Sequence, residues 1–117
     1  DDRERFLHAS PTTTAYQLYV ASLAWFSDAY RRNFPEKVAA AEANETAPAT
    51  THALFHTMAD MASLEGRFIS KETSLVNSGY DRTAPRRYLN DHNEPRSYDD
   101  IGLRKEDFEM FGKMGIR

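Results

Sequence analysis

A chain of 117 residues with 40% hydrophobic residues and a net charge of −3 has room for one domain. The acidic balance argues against nucleic acid as the main partner, because neutralising phosphates demands a basic surface. With no cysteine, a disulfide framework, a thiolate zinc site and a cysteine nucleophile are all excluded.

Residues 1–10 read as a polar lead-in, and the opening on Asp1 is what a removed targeting segment or a trimmed sequence would leave. Ser10-Pro11 has the chemistry of a helix start, since serine accepts from a free N–H and proline suits the first turn. Tyr16, Val20, Leu23, Phe26, Tyr30 and Phe34 then recur at three- and four-residue steps. That spacing predicts one long helix over 11–33, stopped by Pro35. The charge-free run from Phe6 to Ser27 is long enough to cross a bilayer. Its dense apolar part, 15–26, is the length of a buried or interfacial segment instead.

Glu36–Asn44 contains strong helix formers and predicts a short connecting helix, followed by a loop over 45–51 around Pro48. Thr50 or Thr51 can cap the next helix, whose stripe would be Leu54, Met58, Met61, Ala62, Phe68 and Ile69. Asn77-Ser78-Gly79 reads as its stop, with Gly66 as a weak point or bend. Residues 79–117 lack apolar periodicity and carry 8 basic against 8 acidic side chains. They read as an extended tail closed by a short helix near 103–111, with Gly112 as its cap. The expected fold is therefore all-α: a helical hairpin over 11–78 and a partner-binding tail over 79–117.

His52, His56 and Asp60 would share one face of a helix, the spacing of a metal site. The metalloprotease pattern requires Glu where Ala53 stands, and the first helix has no Glu-x-x-His pair for a two-metal bundle. These three are thus metal candidates by spacing alone, and neither metal nor cofactor is expected. Asn44-Glu45-Thr46 is a glycosylation acceptor triplet. No glycine-rich phosphate loop or Ser-His-Asp arrangement points to an enzyme.

Arginine and tyrosine alternate along the tail, as Arg82, Arg86, Arg87, Tyr88, Arg96 and Tyr98. Acidic residues interleaved with them favour protein contact over RNA contact. Tyr16, Tyr19, Trp25, Phe26 and Tyr30 crowd the first helix, while Phe108 and Phe111 mark the last. Two helices share only one seam, so an aromatic stripe this broad requires further cover. Fixing each tail residue costs roughly 1–2 kcal/mol of backbone entropy. That cost requires a partner surface as well. The expectation is a non-catalytic accessory subunit of a large protein complex, with other subunits as partners and lipid-interface contact through the first helix. Its expected place is the mitochondrial inner membrane, as a peripheral part of ATP synthase or a respiratory enzyme. The alternatives are a homodimeric four-helix bundle binding a ligand or metal, and a ribosome accessory protein.

Overall fold

The computed structural model describes Leu18 and residues 20–90, 92–97 and 104–115. The chain divides into two compact units, Ala24–Ala84 and a second made of Asp1–Leu23 with Pro85–Arg117.

The first unit is helical. Helix α1 covers Asp28–Asn33 and starts where the Ser27 hydroxyl accepts the Tyr30 N–H at 3.1 Å. Asp28 opens it and Arg31 and Arg32 close it, each charge opposing the helix dipole at its own end. Phe34 ends α1, and Pro35 begins α2, Pro35–Ala43, at the position where a missing N–H costs nothing. Helix α3 follows at His52–Met61, and a 3₁₀ turn at Lys71–Thr73. Phe26, Val38 and Val76 form the core, with Tyr30, Ala41 and Met61 packed on it. The Tyr30 ring lies between Phe26 at 5.5 Å and Phe34 at 4.8 Å.

In the second unit, β1 (Arg87–Leu89) and β2 (Pro95–Ser97) pair antiparallel, with Tyr88 opposite Arg96. The Asn90 side-chain oxygen folds the connecting turn by accepting the His92 and Glu94 N–H groups at 3.0 and 2.8 Å. Asn93 takes a left-handed φ of 59°, which asparagine tolerates. Helix α4 covers Lys105–Lys113, and the Asp107 carboxylate accepts the Arg104 N–H at its start. Phe111 and Asp107 are its buried residues.

The expected fold fails at three places, and the first of them overturns the all-α class. The hairpin of strands interrupts the tail, so the chain is mostly helical with a small sheet. Three-residue strands are too short to show alternation, and the Asn-centred turn between them was the only trace. The long first helix does not form as one piece, because residues 20–27 are not helical and the Ser27 cap starts α1 anew. Its earlier part, 11–17 and 19, lies outside the described residues.

The third failure is α3, which stops at Met61 rather than running towards Asn77. Ser63 leaves it with a left-handed φ of 55°, and the Leu64 N–H returns to the Ala59 carbonyl at 2.9 Å. Phe68 and Ile69 therefore belong to the following loop. At the end of α4 the left-handed glycine is Gly115, with φ of 70°, while Gly112 sits inside the helix. Among the described residues no helix is long and apolar enough to cross a membrane.

Candidate functional site

The polar groups of the first unit gather at the C-terminal end of α3. The Lys37 ammonium, projecting from α2, donates to the Asp60 backbone carbonyl and to Ser63 Oγ at 3.0 Å. It also pairs with Asp60 Oδ1 at 3.3 Å. Asn77 Nδ2 reaches Asp60 Oδ2 at 3.5 Å, and the Tyr30 hydroxyl donates to the Met61 carbonyl at 2.8 Å. The last carbonyls of α3 are thus met by side chains from two other segments.

Burial alone would raise the Asp60 carboxyl. The Ser74 hydroxyl, the Lys37 ammonium and the Asn77 amide outweigh it and hold the group below the ordinary carboxylate range. Ser74 Oγ is fully buried and meets no strict hydrogen-bond geometry, yet it lies near enough to Asp60 to favour the charge. The Tyr30 phenol moves the other way, raised by burial and then by the charges of Asp60 and Glu36.

An open cleft of about 330 Å³ lies over this cluster, lined by Glu36, Lys37, Asp60, Ser63, Lys71 and Asn77 among others. Its polar groups are largely engaged with each other. Lys37 directs its donors to Asp60 and Ser63, and Lys71 pairs with Glu65 at 3.4 Å. The arrangement suits holding α2, α3 and residues 74–77 together more than seizing a ligand.

The metal candidates are not brought to one point. The His52 and His56 rings meet edge to face at 4.9 Å, but His56 Nδ1 accepts the Ser70 N–H at 3.2 Å. Asp60 is engaged by Lys37 and Asn77 instead. Among the described residues no three His, Cys, Asp or Glu side chains form a metal-binding group.

The arginine and tyrosine candidates divide. Arg82 is turned onto its own chain, donating to the Ala43 carbonyl at 2.6 Å and to Asn44 Oδ1 at 2.9 Å. It thereby meets a carbonyl at the end of α2. The buried Asn44 passes the link on, donating from Nδ2 to the Leu75 and Asn77 carbonyls, each at 3.1 Å. That amide nitrogen is the atom glycosylation would require, so the triplet is closed in the folded chain. The Tyr80 hydroxyl donates to the Pro48 carbonyl, and the Asp81 N–H to the Glu72 carbonyl. Residues 80–82 are therefore fastened by the chain itself, and the expectation that a partner orders the whole tail is corrected there. Arg96 pairs with Glu94 at 2.8 Å, Arg87 is exposed, and Arg86, Tyr88 and Phe108 are half-buried. Phe111 is fully buried, Phe26 is core, Tyr30 is half-buried, and Trp25 stands 79% exposed. Tyr16, Tyr19 and Tyr98 lie outside the described residues.

The feature that sequence reading missed is the orientation of α3. Its buried positions are Ala53, His56, Ala59 and Asp60, all small or polar. Three of its four large apolar side chains point outward, with Leu54 54% exposed, Phe55 59% and Met58 61%, while Met61 packs on the core. The three lie one turn apart or adjacent, so they form one patch. The stripe was visible in the sequence as Leu54 and Met58, but its facing was not.

No family model matches the chain, and no curated protein or solved structure is significantly similar to it.

Proposed function

We propose that this chain is a non-catalytic accessory subunit of a protein assembly and that the outward face of α3 is a protein-docking surface. The observation that carries this reading is the facing of the helix: Leu54, Phe55 and Met58 face water, while the fully buried positions are two alanines, a histidine and an aspartate and only Met61 packs apolar bulk on the core. Burying apolar surface is the main driving force of protein association, and a patch of aromatic and Met side chains adapts well to a partner. The exposed Trp25 in the same unit supports the reading, since tryptophan is a frequent anchor in interfaces.

The test is native electrophoresis of the tagged full chain from its source cells. Migration in a species of at least twice the mass of the chain is expected, with loss of that band for Met58→Glu. A chain that migrates alone, or a Met58→Glu variant that still co-migrates, overturns the reading.

A further inference from the structure

We propose that the occupant of the α3 face is a second copy of this chain, packed helix against helix about a two-fold axis. The proposal rests on the docking role of that face and names its partner. The first argument is charge. The only charged residue in α3 is Asp60, and it is buried against Lys37. Thr51, His52, Leu54, Phe55, Met58 and Ala62, the exposed positions along this stretch, carry no Asp, Glu, Lys or Arg.

A two-fold interface sets each patch against its own image, so exposed charges near the axis meet their like. That obstacle to self-pairing is missing here. A foreign partner would have to offer an equally uncharged strip of the same length, or else bury an unpaired charge. A second copy offers that strip by identity.

The second argument is size. A ten-residue helix is about 15 Å long. Two such faces, each with three large side chains more than half exposed, bury on the order of 1,000 Å² in total with their rims. That is the lower edge of specific interfaces, so dimerisation is expected in the micromolar range rather than below it. A shared aromatic at position 55 would sit near the axis and meet its own image, an arrangement aromatic rings favour.

The experiment is sedimentation velocity of the purified full chain across a thousand-fold concentration range. The parent, Met58→Glu, Leu54→Gln and a control, Leu89→Glu, are compared. Leu89 is somewhat more exposed than either position but lies on β1, outside the helical unit. The expected result is a mass rising from one chain to two for the parent and the control. The dissociation constant should rise at least about tenfold for either α3 variant, with an unchanged helical circular dichroism spectrum. A parent that stays monomeric throughout, or a dimer that both α3 variants leave intact, overturns the second-copy proposal. If the parent is monomeric but Met58→Glu still abolishes co-migration in cells, the docking reading stands and its occupant is a different protein. If neither experiment responds to Met58→Glu, both readings fall.

Discussion

Asp60 shows how one side chain can fasten three segments. It is charged, nearly buried, and held by Lys37 from α2 and Asn77 from the loop after the 3₁₀ turn. Removing one partner from such a pair leaves the other charge poorly solvated, which is costlier than losing the attraction alone. Asp60→Asn should therefore lower stability by about 2–3 kcal/mol in urea unfolding followed by circular dichroism. The pH dependence has a definite sign. Because the carboxyl is held below its ordinary 3.8 in the folded chain, its contribution is complete above that value. It is lost as the pH falls below 3.8 and through the lower folded value. The parent should lose urea resistance across that acid window, and Asp60→Asn should lose less there. An identical acid slope in the two proteins would remove Asp60 from this role.

At the scale of the element, caps decide more than stripes. The two glycines of α4 give a test with opposite signs. Gly112 lies inside the helix and a methyl group there meets nothing within 4 Å, so Gly112→Ala should stabilise α4 by about 1 kcal/mol. Gly115 holds φ of 70°, so Gly115→Ala should destabilise its end by about 1 kcal/mol. Amide exchange of the last turn of α4, slower in the first variant and faster in the second, is the measurement. The same logic explains what could be read from sequence. Helix α2 was legible because its alanine-rich run acts locally, and α4 because Phe108 and Phe111 recur at a helical step. The stop of α3 was not legible, since it depends on a serine in a left-handed conformation held by a lysine 26 positions earlier. The break before Asp28 was missed because a serine cap competed with an apolar stripe that ran through it. For the candidate surface, periodicity marked Leu54 and Met58 as partners on one face. Whether a face meets core or water is a tertiary fact that periodicity does not contain.

For the molecule as a whole, the first unit has a small core and relies on polar links to supplement it. Phe26, Val38 and Val76 supply the buried apolar centre, while Asn44, Arg82, Lys37 and Asp60 join segments distant in sequence. Small domains are short of buried apolar area, and leaving Leu54, Phe55 and Met58 outside deepens that shortage. Association would then raise stability as well as create an interface, by mass action. Trp25 adds a practical consequence. It is the chain's one tryptophan and most of its surface faces solvent. Its fluorescence should already be red-shifted in the folded chain, so unfolding that is plain by circular dichroism should shift its emission little. The reverse signal carries the information: a blue shift at constant helical content would report the indole passing from water into a partner, making the residue an optical gauge of docking that needs no label.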